Sequence, residues 1–211
     1  MFHSENFTTE RGTFSTDLSL RPDGRNTFSF KGFLRTSDVD LGYVTRNNEM
    51  FGGLWMHADI DGSMQSFRHL SANISGKIDS VEINHYLYRN VGVEGRYADS
   101  IWDGTVAVRD RNINMDLMGR FDLEKSMPEF DFTLNLAHAD LHKLNLIKGD
   151  SIFTASALVT ASFKGNSADN IEGDLRLINS ILNNSNGPAE HLRFPGHIRE
   201  SERRAAADPQ I

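Results

Sequence analysis

Cysteine is absent from this 211-residue chain, proline occurs only five times, and basic residues are outnumbered by acidic ones, 22 against 29. Without cysteine there is no disulfide framework, no thiolate nucleophile and no cysteine-ligated zinc. A periplasmic location stays open, since proteins there often carry none. The net charge of -7 argues against a binder of nucleic-acid phosphates, which needs a basic face. Long apolar runs are missing too: no window reaches the roughly 18 continuous apolar residues of a membrane span. The weakly polar stretch from Ser151 to Phe163 is broken by Ser and Thr at five positions. The start, Met1-Phe2-His3-Ser4-Glu5, lacks the basic region and apolar stretch of a signal peptide. An export signal, if the protein uses one, lies on sequence beyond this chain. The hydrophobic fraction of 38% is low for a compact globule and too high for full disorder.

What is present is alternation. Phe130, Phe132, Leu134 and Leu136 are separated by Asp131, Thr133 and Asn135. Successive strand side chains point to opposite faces, so this stretch has one oily side and one wet side. The same period runs through Phe14, Thr16, Leu18 and Leu20, through Phe28 and Phe30, and through Val106 and Val108. It returns in Ile113, Met115 and Leu117, and in Ile171, Leu175 and Leu177 around Gly173. Turn signals stand between the runs at Pro22-Asp23-Gly24, Asp61-Gly62, Asp103-Gly104, Lys148-Gly149-Asp150 and Lys164-Gly165-Asn166. The pattern predicts an all-β chain of about a dozen short strands in a meander. Helical candidates are short: a turn or two within Val39 to Met50, and a brief turn at Leu141, Leu144 and Leu146.

A long internal repeat is visible. Phe30, Leu34, Asp40 and Leu41 match Phe130, Leu134, Asp140 and Leu141 at an offset of 100 residues. Ser71 to Ile78 resembles Ser167 to Leu175 with one insertion, and Val93-Glu94-Gly95-Arg96-Tyr97 echoes Leu117-Met118-Gly119-Arg120-Phe121. We expect a β-repeat region over residues 1–182, in units of about 10–100 and 101–182. From Asn183 the alternation stops, and Pro188, Pro195 and Pro209 crowd with arginines into a segment expected to be a disordered or atypical tail, 183–211.

Motifs that carry chemistry are scarce. His138 and His142 have the spacing of a zinc peptidase pair, but Ala139 stands where the general base belongs, and the context is a strand. Residues four apart on a strand lie about 13 Å from each other, too far for one metal. Asp59-Ile60-Asp61-Gly62-Ser63 opens like a calcium loop without its remaining ligands, and a hairpin turn is the better expectation. Gly92-Val93-Glu94-Gly95 opens no helix, so strand glycine at a bulge or close approach is the better account. Asp38 and Asp40, at period two, are expected as solvated decoration on the wet face, and Trp55, Trp102, Phe51 and Tyr97 as ordinary core or rim aromatics. No catalytic residue, cofactor-binding residue or metal ligand is expected, and no enzymatic activity. The oily faces have few helices to cover them. Either two sheets close as a sandwich, or one curved sheet keeps its oily side as a groove suited to acyl chains.

From about Asp110 to Ser180 a family cadence is legible. It runs through Leu117-Met118-Gly119-Arg120-Phe121, Phe130-Asp131-Phe132-Thr133-Leu134-Asn135-Leu136, Ala139-Asp140-Leu141, and Asn170-Ile171-Glu172-Gly173. This resembles the repeat region of the TamB proteins of the AsmA-like superfamily, particularly the Bacteroidetes-type long forms, over residues 10–182. The resemblance implies an elongated, curved antiparallel sheet, a taco-like groove with an apolar concave face. It implies a periplasmic segment of an inner-membrane-anchored envelope protein, linked to phospholipid transport and to outer-membrane protein assembly and secretion. Phospholipid acyl chains would be its partners. An outer-membrane assembly protein would be met through regions outside this chain, membrane contact would come only through the absent termini, and nucleic acid has no part. The family's membrane helix and C-terminal domain are not in this sequence, so an internal fragment is expected. Groove-lining candidates are Phe28, Phe30, Leu117, Phe130, Phe132, Leu134, Leu136, Leu175 and Leu177. The reading set against it is a non-enzymatic binding or adhesive β-sandwich of a cell-envelope or secreted protein.

Overall fold

Alternating strands linked by short turns pair most readily with the strand made just before, and the computed structural model follows that rule throughout. It describes residues 7–24, 26–45, 47–66, 69–147, 153–165, 170 and 172–184. Eleven antiparallel strands form one open, curved sheet in chain order. They are β1 (Phe7–Thr9), β2 (Gly12–Pro22), β3 (Phe28–Asp40), β4 (Phe51–Ser66), β5 (His69–Ile83), β6 (Tyr86–Ala98), β7 (Ile101–Arg109), β8 (Ile113–Asp122), β9 (Glu129–Asp140), β10 (Phe153–Lys164) and β11 (Glu172–Asn184). The helix α1, Leu41–Thr45, has five residues. The expected all-β curved sheet is what forms. A sandwich needs a second sheet, and the described residues form a single one.

Two hairpins turn on pairs of positive-φ residues that are not glycine. Asn84 and His85 have φ of 51° and 60°, and Asp99 and Ser100 have 49° and 64°. Positive φ at both central residues gives the turn whose twist matches the flanking strands, and Asn, Asp and His tolerate it best. The Asp-Gly pairs expected to turn do not. Asp61-Gly62 lies inside β4 and Asp103-Gly104 inside β7, which also removes the hairpin expected at Asp59 to Ser63. The strands are therefore longer than expected, 16 residues in β4. These glycines serve close approach. A Cβ on Gly62 would stand 2.0 Å from the Ser71 carbonyl oxygen, and one on Gly104 2.4 Å from that of Glu94. β11 runs through Asn184, past the boundary at 183 expected for the tail; residues 185–211 lie outside the described residues, as do Ile171 and Lys148-Gly149-Asp150.

A crease crosses the sheet near one end of the strands. Register slips between Thr36 and Val39 in β3, between Trp55 and Met56 in β4, and between Ala155 and Ala157 in β10. In β5 and β6 the irregular residues face each other at Asp79 and Asn90, outside the paired ladder. Asp38, Asn90 and Asn179 sit on this line with φ of 55°, 53° and 51°. One inserted residue would flip every later side chain to the other face of the sheet. The irregular positions of neighbouring strands match, so Ile78 and Val81, Val91 and Tyr88, and Leu136 and Ala139 keep a common oily face. Bulges also bend the strands that carry them, which is the local source of the curvature.

Past the crease, β3 and β9 end alike although they lie one hundred residues apart in the sequence. Asp40 accepts a hydrogen bond from the backbone N–H of Tyr43 at 2.9 Å, and Asp140 from that of Lys143 at 3.1 Å. Each carboxylate caps a turn three residues on. Asp40 is thus not solvated decoration; it also holds the Arg11 guanidinium at 3.4 Å, which stacks on the Tyr43 ring at 3.8 Å. The core gathers beside the second of these turns. Val91, Val108, Ile113, Ala139 and Leu144 are its buried members.

Candidate functional site

Pairing partners lie side by side on one face, so the register assigns every strand residue to a row running across the sheet. One row reads Thr16, Leu34, Ala58, Gly76, Val93, Val106, Leu117, Leu134, Val159, Leu177. The next holds Leu18, Gly32, Ile60 and Ile74, then Gly95, Gly104 and Gly119, and ends in Phe132, Ala161 and Leu175. A third carries Leu20 and Phe30, then Tyr97, Trp102, Phe121, Phe130 and Phe163. At the crease Met56, Ile78, Val91, Val108, Met115 and Leu136 complete the apolar field. All nine groove candidates fall on this face. Leu117, Phe130, Phe132, Leu134 and Leu136 are half-buried in its middle, whereas Phe28 is 48% and Leu177 37% exposed toward the two margins.

Glycine rows and aromatic rows are neighbours for a steric reason. The Trp102 ring comes within 2.6 Å of where a Gly95 Cβ would sit, and the Phe30 ring within 2.8 Å of a Gly62 Cβ. Large rings lie flat over strand positions that lack side chains, which covers exposed backbone. Phe130 and Phe163 stack with centroids 5.0 Å apart, and Phe121 meets Phe130 at 5.8 Å and Phe132 at 6.2 Å. The alternation in β8 was legible at Leu117, but Gly119 interrupts it. Period alone therefore does not mark Phe121 or Phe163, and nothing in it separates Trp102 and Tyr97 from ordinary core or rim aromatics.

The oily face is the inner side of the curve. Asn84, in the β5–β6 turn, donates to the Asn145 carbonyl at 2.7 Å, and Asn145 donates to that of Asn84 at 3.0 Å. Between these two points lie β6, β7, β8 and β9. The two turns meet over the apolar face, so the sheet must bend toward it. Leu144 inserts beneath this clasp at 0% exposure and closes one end of the trough. The trough's other end carries the aromatic row, and beside it a cleft of about 450 Å³ is lined mainly by residues that alternate onto the outer face, among them Arg120, Glu129, Asp131 and Glu172. Lys125 is already held by Glu129 at 2.7 Å, and Lys164 by Glu172 at 3.1 Å.

Polar groups inside the closed end are satisfied among themselves. Tyr86 donates its phenol proton to Asp110, and Asn112, 5% exposed, donates to the same phenol oxygen at 2.9 Å. Burial first, and the bond to Asp110 second, raise the Tyr86 pKa above the usual tyrosine value, with Asn112 pulling the other way. Tyr88 is raised likewise by burial and by the Asp110 charge. Burial alone would raise the buried Asp140, but hydrogen bonds from the Lys143 ammonium and backbone outweigh it and hold the carboxyl below its usual range. No buried side-chain polar atom lacks a partner among the described residues.

The outer face is polar and also ordered by the register. One row there reads Lys31, Asp61, Asn73, Arg96, Asp103, Arg120, Asp131. Opposite charges directly across a strand pair stabilise it and oppose slippage. Asn135 lies on this face, as its alternation with Leu134 requires. His138 belongs to β9 and His142 to the turn beyond; both are exposed, and among the described residues no group of three potential metal ligands occurs. Among the described residues no helix is long and apolar enough to cross a membrane. What this chain offers is a trough with apolar walls, closed at one end by the turn that carries Leu144. No family model, no curated protein and no solved structure matches the chain.

Proposed function

We propose that the chain is a segment of an inner-membrane-anchored, periplasm-spanning envelope protein of the TamB or AsmA-like type. Its concave face would hold phospholipid acyl chains on their way to the outer membrane, in support of outer-membrane protein assembly. One observation carries this reading: a continuous oily face, many strands wide, lies on the inner side of a single sheet with no second layer among the described residues. A soluble chain rarely leaves so large an apolar field open unless something occupies it. Acyl chains need apolar walls and no specific polar contact, and half-exposed Leu, Val and Phe supply such walls. The family cadence in the sequence points the same way.

The test uses paired positions that differ only in face. A photoreactive side chain is placed at Leu134 or at Asn135 of the full chain, which is then incubated with vesicles of phosphatidylethanolamine and phosphatidylglycerol. Lipid adducts are expected from position 134 and only background from 135. Equal adduct yields from the two positions would sink the assignment of the concave face.

A further inference from the structure

We propose that the trough is blind at one end and therefore takes phospholipid acyl chains in a single orientation, methyl ends toward the Leu144 turn and headgroups toward the aromatic row. This rests on the acyl-chain reading above and adds a direction to it. Burial along the trough is graded. On β6 to β9 the inner face begins with Val91, Val108, Met115 and Leu136, passes through Val93, Val106, Leu117 and Leu134, and ends with Tyr97, Trp102, Phe121 and Phe130. None of these side chains is charged. Val91 and Val108 are buried, together with Ile113 and Ala139 beside Leu144. The rows farther from Leu144 are half-exposed among the described residues.

The two ends treat a polar group differently. At the closed end Tyr86, Asp110 and Asn112 are bonded to one another, and no buried side-chain polar atom lacks a partner among the described residues. A phosphate or an ester pushed in there would lose its water and meet no free donor, which is strongly unfavourable. The methyl end of an acyl chain asks for no donor. At the other end Tyr97 and Trp102 each combine an apolar ring with a polar tip. Such side chains collect where hydrocarbon meets headgroups in a bilayer. Just past them the strands turn through Asp99 and Ser100 and through residues 123–128, where Asp99, Glu124 and Lys125 are exposed. A headgroup placed there keeps its water and has polar neighbours.

Length agrees with this placement. From Val91 to Tyr97 on β6 the strand advances about 20 Å, at roughly 3.3 Å per residue. One leaflet is half of a hydrocarbon core about 30 Å thick, so its chains reach about 15 Å. An extended acyl chain therefore fits between the buried row and the aromatic row. Leu144 stops it at one end, and its ester comes level with Trp102 at the other.

The chain's two tryptophans permit a direct test. Trp102 belongs to the aromatic row, whereas Trp55 pairs with Ser80 beside the inner-face pair Leu54–Val81 and so lies on the outer face. Trp55→Phe leaves Trp102 as the single tryptophan of the full chain. This protein is incubated with vesicles of phosphatidylethanolamine and phosphatidylglycerol whose chains are brominated either near the ester or near the methyl end. It is then separated from the vesicles by flotation, so that only retained lipid quenches. Ester-side bromine is expected to quench Trp102 several-fold more than methyl-side bromine. The unaltered chain gives the same comparison over a constant background from Trp55. Met115→Trp, combined with Trp55→Phe and Trp102→Phe, moves the probe to the buried row and should reverse the order. Equal quenching by the two lipids, or the opposite order at Trp102, would overturn the orientation and leave the groove standing. Quenching by neither lipid would remove the orientation and the acyl-chain reading together.

Discussion

Leu144 is the largest side chain fully buried among the described residues, and it sits in a turn, not a strand. Its burial comes from reaching across the sheet to the cluster of Val91, Val108, Ile113 and Ala139. Truncating such a residue removes the transfer energy of its methyl groups and leaves a void. Leu144→Ala is expected to lower the unfolding free energy by about 2–5 kcal/mol in urea titration, whereas Leu146→Ala should change it by less than about 0.5 kcal/mol, since Leu146 is 56% exposed. A similar loss at both positions would mean the turn does not plug the trough. The sequence placed Leu141, Leu144 and Leu146 on a brief turn. It could not rank them, because burial there depends on what the turn lands on.

At the scale of the strands, glycine separates two kinds of position. Gly104 has the backbone of Glu94 and Gly95 and the Trp102 ring where its Cβ would go, all within 2.8 Å. Gly92 has nothing nearer than 3.9 Å. Alanine restricts the unfolded chain more than glycine, which favours the folded state by about 0.4–1 kcal/mol where the site is open. Gly92→Ala should therefore raise the thermal midpoint. Gly104→Ala should lower stability by about 1–3 kcal/mol, because overpacking forces backbone to move. Calorimetry on the two variants checks both signs. Strand existence was plain from alternation in β2, β8 and β9. The Asp-Gly pairs misled because that dipeptide signals a turn only when the flanking register folds back on itself. The crease was invisible for a related reason: a bulge at Asn90 is an agreement among neighbouring strands, and no single strand records it.

Taken whole, the sheet is nearly one-dimensional. Substantial packing between elements is confined to neighbours in the chain. The clasp between Asn84 and Asn145 is a long-range tie across four strands. Stability in such an array is a sum of neighbour terms, so its centre should open last. In dilute solution, amide hydrogen exchange is expected to be slowest in β6 to β9. β2 and β11 should show protection about a hundredfold lower, equivalent to about 3 kcal/mol of local opening. Uniform protection would mean that the margins are stabilised by something beyond the pairing described.

The sequence by itself determined that the chain is all-β, that each strand has one oily and one wet face, and that Leu134 and Asn135 point opposite ways. Those are properties of a two-residue period and need no partner. It also exposed the likeness between Asp40-Leu41 and Asp140-Leu141, which reappears as two capped turns. The tertiary structure decided that the oily faces join on one sheet and are not shared between two. It decided which side is concave and which end Leu144 closes. These follow from register and from the accumulated bend of many strands, and each depends on residues far apart in the chain meeting in space.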